Sequence, residues 1–217
     1  MYLRNIFLLN LFVSLIMSQE QLGSDIDGEV AGDNSGGSVS LDSDGDRVAI
    51  AASSNDGGAD NAGHVRIYSW DGSSWSQLGS DIDGEAAGDY SGVSVSLDSD
   101  GDRVAIGGYF NDGSYSDAGH VRIYEYSGGT WSRLGSDIDG EAAGDQSGVS
   151  VSLDSDGDRV AIGAYNNDGN GSDAGHVRVY SWDGSSWNQL GNDIDGEAAG
   201  DKSGISVSLD SDGDRVA

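Results

Sequence analysis

Val93-Ser94-Val95-Ser96-Leu97-Asp98-Ser99-Asp100-Gly101-Asp102-Arg103-Val104-Ala105-Ile106 reads as two short strands joined by a tight turn. Val93, Val95 and Leu97 alternate with Ser94, Ser96 and Asp98, and Val104 and Ile106 alternate with Arg103 and Ala105. A period of two sends one class of side chain to each face of a pleated strand, whereas a helix needs a period near 3.6. Ser99-Asp100-Gly101-Asp102 carries the Asp-Gly chemistry of a hairpin turn. Downstream, a Gly/Asp/Ser loop runs from Gly107 to Gly119. A third strand is expected over His120–Tyr126, with Val121 and Ile123 on one face. Ser127-Gly128-Gly129 turns the chain into a fourth strand, Trp131–Leu134.

This pattern recurs. LGSDIDGE starts at Leu22, Leu78 and Leu134, and returns as LGNDIDGE at Leu190. DSDGDRVA starts at Asp42, Asp98, Asp154 and Asp210, and AGHVR at Ala62, Ala118 and Ala174, always 56 residues apart. A fixed period marks a repeat architecture, and four short antiparallel strands make one blade of a β-propeller. The expected fold is all-β: propeller blades of four antiparallel strands on a 56-residue repeat, together a partial propeller over residues 19–217. A closed ring has roughly 4–8 blades, whereas this chain encodes about three and a half units and is expected to be part of a longer reading frame. Glu20–Gly23 is expected as a fourth strand ahead of its own blade, and Arg215-Val216-Ala217 stops where earlier copies continue into Ile50, Ile106 and Ile162. Open blade faces predict aggregation or oligomerisation of this stretch alone.

Composition narrows the class of function. Gly accounts for 36 of 217 residues, with no Pro and no Cys, which suits many tight turns and excludes a disulfide framework. The net charge of −28, with Lys202 the sole lysine, disfavours nucleic acid and anionic membrane as partners. At the N-terminus Arg4 precedes the apolar run Ile6–Met17, and polar residues begin at Ser18. A helix of that length spans only ~18 Å, too short for a ~30 Å bilayer core. Residues 1–18 are therefore expected to be a signal peptide, cleaved near Ser18–Gln19, with a secreted or cell-surface mature chain that does not insert in membrane.

The order of these phrases resembles the FG-GAP repeats of integrin α-subunit propellers and of many bacterial surface proteins, in the short bacterial variety. The FG position reads Ser35-Gly36, Ser91-Gly92, Ser147-Gly148 and Ser203-Gly204, so the glycine is kept and the aromatic is lost. The GAP position reads Ala51-Ala52-Ser53, Gly107-Gly108-Tyr109 and Gly163-Ala164-Tyr165. The resemblance implies a binding module rather than a reaction. It also implies calcium, held in integrin-type blades by oxygens at loop positions 1, 3, 5 and 9 between the first two strands. At that place Asp98, Asp100 and Asp102 supply only the first three, because Ile106 occupies the ninth position; a hairpin turn accounts for them.

A second acidic segment keeps the spacing. Asp25, Asp27, Glu29 and Asp33 stand at 1, 3, 5 and 9, as do Asp81, Asp83, Glu85 and Asp89. Asp137, Asp139, Glu141 and Asp145 repeat the pattern, and Asp193, Asp195, Glu197 and Asp201 repeat it again. Convergent carboxylates suit calcium, although the glycines fall at 4 and 8 rather than 6, so a solvated loop is the competing reading. His64, His120 and His176 occur once per unit and are expected at strand ends, too far apart to share one centre. Arg47, Arg103, Arg159 and Arg215 are expected in local ion pairs. Trp75, Trp131 and Trp187, with Tyr68, Tyr124 and Tyr180, suit packing between blades, with carbohydrate stacking the rival reading. Ser69–Trp75 is similar to the Asp-box turn of sialidase propellers but one residue short, and is read as a hairpin device.

The expected function is non-enzymatic adhesion or ligand binding, towards an extracellular protein or glycan. Ser53–Asn61, Tyr109–Asp117 and Tyr165–Asp173, which vary between copies, are the contact loops. The alternatives are a propeller glycosidase or lyase whose catalytic residues lie outside these copies, and a spacer without ligand.

Overall fold

A computed structural model describes residues 20–217; the expected signal peptide, with Arg4 and Ile6–Met17, lies outside them. The described chain contains no helix and fifteen strands. The first blade holds β1 (Ser35–Leu41), β2 (Arg47–Ala52), β3 (His64–Trp70), β4 (Trp75–Gln77) and β5 (Ile82–Asp83). The second holds β6 (Ser94–Leu97), β7 (Arg103–Gly108), β8 (His120–Ser127), β9 (Thr130–Arg133) and β10 (Ile138–Asp139). The third holds β11 (Ser150–Leu153), β12 (Arg159–Ala164), β13 (His176–Trp182), β14 (Trp187–Gln189) and β15 (Ile194–Asp195).

All pairing within a blade is antiparallel, in chain order from the inner strand outwards. The fourth position is shared. In the first blade β4 pairs with the C-terminal half of β3 (Tyr68 opposite Gln77), and β5 pairs with its N-terminal half (His64 opposite Asp83, Val65 opposite Ile82). The acidic segment, a candidate loop by its sequence, thus contributes edge strands at Asp83, Asp139 and Asp195. Glu20–Gly23 forms no strand, and among the described residues none lies beside it as β3 lies beside Gln77. It still docks: the Leu22 carbonyl accepts the indole N–H of Trp75 at 3.0 Å, as Leu78 does from Trp131 (2.7 Å) and Leu134 from Trp187 (2.9 Å).

The core lies between blades rather than within one. Val65, Ile67 and Ile82 of the first blade pack with Val95, Leu97, Val104 and Ile106 of the second, and the next interface repeats the set. Alternation along the second strand makes this work. Val104 and Ile106 face the preceding blade, while the small Ala105 joins the cluster with the following one. Burial follows the neighbour. Val95 and Leu97 are 8% and 6% exposed, while the equivalent Val39 and Leu41 of the first blade are 59% and 60% exposed. The fold is therefore a set of stacked blades of a partial β-propeller, with the inner strands β1, β6 and β11 side by side.

The serines of the inner strands join the blades. Each inner strand is a sheet edge whose outward amides need acceptors. Ser38 and Ser40 hydroxyls accept the amides of Val95 and Leu97 at 3.1 and 2.9 Å; Ser96 accepts that of Leu153 and Ser152 that of Leu209, both at 3.0 Å. At the hairpin end the amide of Ser43 donates to the Ser99 carbonyl, Ser99 to Ser155 and Ser155 to Ser211, each at 3.1 Å. The Leu-Asp-Ser triplets at 41–43, 97–99, 153–155 and 209–211 line one wide-open cavity of about 250 Å³.

Asp98 and Asp154 are buried beside that cavity and accept the amides of Arg103 and Arg159. Burial raises the Asp98 carboxyl to about 6 against the pull of the Arg103 amide, and the charge of Asp102 adds to the rise. Asp154 is raised mainly by burial as well. The arginines beside these turns reach further than their neighbours: Arg103 donates to the carbonyls of Asp156 and Gly157, and Arg159 to that of Asp212, in the next copy.

Two outcomes follow from this arrangement. Ser96→Ala strands the Leu153 amide and should cost about 1–3 kcal/mol in urea melts, whereas Ser208→Ala, whose hydroxyl accepts no equivalent amide among the described residues, should cost little. Asp98→Asn keeps an acceptor for Arg103 and removes a carboxylate that burial disfavours. Because the folded group titrates above the ordinary value of ~3.9, the wild type loses stability as pH rises from about 4 through 6. The variant should therefore melt higher at pH 7.5, by roughly 2–4 °C, and converge with the wild type near pH 4.

Candidate functional site

Comparison of residues 22–77, 78–133 and 134–189 finds all three copies different at four positions: 34/90/146, 54/110/166, 58/114/170 and 59/115/171. The last three lie in the loops expected to vary, and the first was missed by that reading although Asn34, Tyr90, Gln146 and Lys202 differ in every copy. All are found at the end of β1 and β2 opposite the Asp-Gly hairpin. The first two positions touch in each complete copy. Asn34 donates to Ser54 at 2.9 Å, the Tyr90 and Phe110 rings meet edge-on at 5.8 Å, and Asn166 donates to Gln146 at 3.1 Å.

The contact continues sideways. Tyr109 stacks on Phe110 at 4.1 Å and stands 6.1 Å from Tyr90. Lys202 reaches back to Asn166 at 3.1 Å and lies over the Tyr165 ring at 4.9 Å. The Tyr109 phenol is raised by burial and then by its neighbours Tyr165 and Tyr90. The varied position is also conformationally strained. Asn34, Tyr90, Gln146 and Lys202 all have φ between 53° and 57°, a left-handed conformation natural for Asn and uncommon for Tyr or Gln. Their amides are pinned to the preceding loop, Tyr90 to the Asn61 carbonyl, Gln146 to Asp117 and Lys202 to Asp173. Strain held by surrounding hydrogen bonds is a mark of functional positions.

Beneath this face the predicted metal residues separate into distinct tasks. Asp33, Asp89 and Asp145 are buried; they accept the amides of Val30, Ala86 and Ala142 and the side chains of Asn55, Asn111 and Asn167. Asp201 accepts the Ala198 amide in the same way. Asp83, Asp139 and Asp195 lie exposed on the edge strands, and the backbone carbonyls of Asp27 and Asp139 accept from Arg66 and Arg178. Asp25 accepts from Gln21, and Glu197 is exposed. The remaining members gather around the histidines: Glu29 and Asp81 at His64, Glu85 and Asp137 at His120, Glu141 and Asp193 at His176. In each group the two carboxylates come from successive acidic segments, so a segment does not close on itself.

Local geometry explains this placement. A Cβ on Gly84, Gly140 or Gly196 would fall 2.0–2.1 Å from the carbonyl oxygen of Ala62, Ala118 or Ala174, so only glycine lets the acidic segment lie on the AGH strand start. The retained FG glycine has a similar cause: Gly148 has φ +88° and a Cβ there would sit 2.5 Å from the His120 carbonyl. The histidines lie at the starts of β3, β8 and β13 as expected, but each collects its own carboxylate pair. Burial lowers His120 and His176 below the ordinary imidazole value against the opposing Asp137 and Asp193 charges. Buried Arg66, Arg122 and Arg178, which sequence reading passed over, face Glu29, Glu85 and Glu141. Their signal was available in the invariant AGHVR phrase.

The aromatics of the outer strands serve packing. Trp75, Trp131 and Trp187 tilt against Trp70, Tyr126 and Trp182 at 5.4, 5.1 and 5.5 Å while bonding to the neighbouring outer segment. In the hairpin beside Trp75, Asp71 accepts the amides of Ser73 and Ser74, and the Ser73 hydroxyl and these amides hold its carboxyl down at about 2.

No curated protein sequence matches the chain. Among solved structures, a protein described as a 6-phosphogluconolactonase from Bacteroides uniformis is similar with a TM-score of 0.54 at 10% identity, over 82% of this chain and 45% of that one. Saccharomyces cerevisiae Sqt1 is similar at 14% identity with a TM-score of 0.47, over 73% of this chain and 35% of that one. The chain thus spans less than half the length of either protein, and the first likeness concerns the fold alone. Residues 138–180, from β10 through most of β13, match the FG-GAP repeat, the repeat that the order of phrases along the chain resembles.

Proposed function

We propose that the chain is a non-enzymatic ligand-binding module, secreted or held at the cell surface, whose contact surface is the varied end of the blades. One observation carries this reading: two of the positions that differ in every complete copy touch one another in each, on a scaffold where every position outside those four is shared by at least two copies. A spacer has no need of such paired variation. The match to the FG-GAP repeat supports a binding module. Catalysis asks for a constellation unlike its neighbours, whereas the histidine–carboxylate groups recur in successive copies.

The chemistry of the face favours an extracellular protein as ligand. Tyr90, Tyr109 and Phe110 pack against one another, and Tyr115, in the same loop as Tyr109 and Phe110, is 57% exposed. A rigid aromatic knob of this kind suits insertion into a protein pocket, where Tyr and other aromatics act as anchors. A sugar ring would want a flat, open aromatic face.

The test is a copy exchange. Tyr90→Asn with Phe110→Ser installs the pair that the first blade carries at Asn34 and Ser54, on the same backbone. Asn also suits the left-handed conformation better than Tyr, so the melting temperature should not fall. On arrays of extracellular matrix proteins and glycans, the wild type should bind a protein and the exchanged chain should lose at least ~10-fold in affinity, equivalent to ~1.4 kcal/mol. Silence on every array, affinity unchanged by the exchange, or binding to glycans alone would overturn the proposal.

A further inference from the structure

We propose that the His64 and His176 groups are each a site for one divalent transition-metal ion of the zinc class, ligated by a histidine, a glutamate from the blade-to-blade connection and an aspartate from the outer edge. The ligating atoms of Glu29, His64 and Asp81 lie within 4.8 Å of one another, as do those of Glu141, His176 and Asp193. The imidazoles carry the argument, because acidic residues alone are common on so anionic a chain. His176 is 1% exposed, and its Nδ1 has no hydrogen-bond partner although it points at Asp193 Oδ2, 3.7 Å away. His64 is equally buried, with Nδ1 3.8 Å from Asp81 Oδ2 and 4.0 Å from Glu29 Oε2. These separations are too long for hydrogen bonds. A tetrahedral ion with bonds of ~2.0–2.2 Å sets its ligand atoms ~3.3–3.6 Å apart, so the carboxylates need to close by only roughly half an ångström to share one.

The surroundings orient the ligands as a metal site requires. Asp81 Oδ1 is held by Gln77 at 2.5 Å and Asp193 Oδ1 by Gln189 at 2.6 Å, which leaves Oδ2 of each towards the imidazole. Arg178 stands 3.2 Å from Glu141 Oε1 and Arg66 stands 3.7 Å from Glu29 Oε1, so in the first group Oε2 remains on the histidine side. Partners that fix the outer atoms of ligating carboxylates are a regular part of metal centres. Two carboxylates against one arginine leave a net negative charge beside a buried nitrogen. One nitrogen and two carboxylates suit zinc with a water in the fourth position, whereas calcium prefers six to eight oxygens.

The His120 group provides an internal comparison. There Arg122 bridges both carboxylates, Glu85 and Asp137 Oδ2, and already neutralises the pair, while Arg66 and Arg178 each touch only the glutamate of their group and donate to the backbone carbonyls of Asp27 and Asp139. The expected stoichiometry is therefore two ions per chain.

Titration calorimetry of the EDTA-stripped 217-residue chain with ZnCl2, and absorption spectra with CoCl2, test the assignment. We expect about two saturable equivalents of zinc, a cobalt visible band of tetrahedral type, and no displacement by an equal concentration of CaCl2. His176→Ala should reduce the stoichiometry to about one. Asp193→Asn, at a half-buried edge position that leaves the histidine in place, should do the same if the alanine variant fails to fold. Absence of saturable zinc binding, a stoichiometry unchanged in folded Asp193→Asn protein, or one-for-one displacement by calcium would overturn the proposal.

Discussion

The inner strand of a blade is an edge. Its backbone amides on the open side face the axis and the preceding blade, not another strand, and buried amides without acceptors are costly. Ser38, Ser40, Ser96 and Ser152 resolve that conflict by accepting amides of the next inner strand. This contact determines much else. The serines must alternate with Val and Leu, so the apolar residues point into the space between sheets and the inter-blade core forms there. Successive blades must also keep one register, which the carbonyl–amide chain through Ser43, Ser99, Ser155 and Ser211 enforces at the hairpin end. An insertion in the inner strand or its turn would displace both sets of bonds, which fits a period that stays at 56 residues throughout.

Such a scaffold makes each blade dependent on its predecessor. Val39 and Leu41 have the same chemistry as Val95 and Leu97, yet only the latter pair has a blade laid over it among the described residues. Hydrophobic burial here belongs to an interface between repeats, as in other quasi-one-dimensional architectures. The indoles reinforce the same direction at the periphery, each bonding to the leucine carbonyl of the preceding outer segment. Blade–blade adhesion is thus distributed from axis to rim: hydroxyl to amide inside, aliphatic packing in the middle, indole to carbonyl outside.

The strands were legible because their signal is local. The period-two alternation around Asp98–Asp102 and the 56-residue recurrence place β6, β7, β8 and β9 nearly as they occur. The edge strands β5, β10 and β15 were not legible, since Ile82-Asp83 is a two-residue pairing decided by the approach of Gly84 to the Ala62 carbonyl. The acidic segment misleads for a related reason. Spacing along a chain suggests ligands that converge, but only Ile82-Asp83 of this segment pairs as strand, and Asp81 and Glu85 on either side of it face different histidines. The carboxylates instead meet residues from other segments, Asp89 with Asn111 and Glu85 with Arg122. One histidine per unit argues against a single shared centre, and each histidine instead meets a carboxylate pair of its own. Position 34/90/146/202 escaped notice because a single varying residue in a constant phrase has no periodic signature, and only its contact with 54/110/166 reveals a surface.

That surface and the charged groups below it are mechanically joined. Ser114 donates to the Gly140 carbonyl at 3.1 Å and Asn170 to the Gly196 carbonyl at 2.8 Å, so varied loop residues rest on the acidic segment of the next copy. Gly140 separates Asp139 from Glu141, the residue that faces His176 and Arg178. The loop tip therefore varies in sequence while its support does not: Asn55, Asn111 and Asn167 bind the buried Asp33, Asp89 and Asp145, and the histidine groups hold the strand starts. A surface that must change from blade to blade without changing its shape needs polar anchors that are the same in every blade. Aliphatic packing alone would yield to the difference between Ser54 and Phe110, whereas directed hydrogen bonds to fixed carboxylates hold the backbone and leave the side chain free to differ.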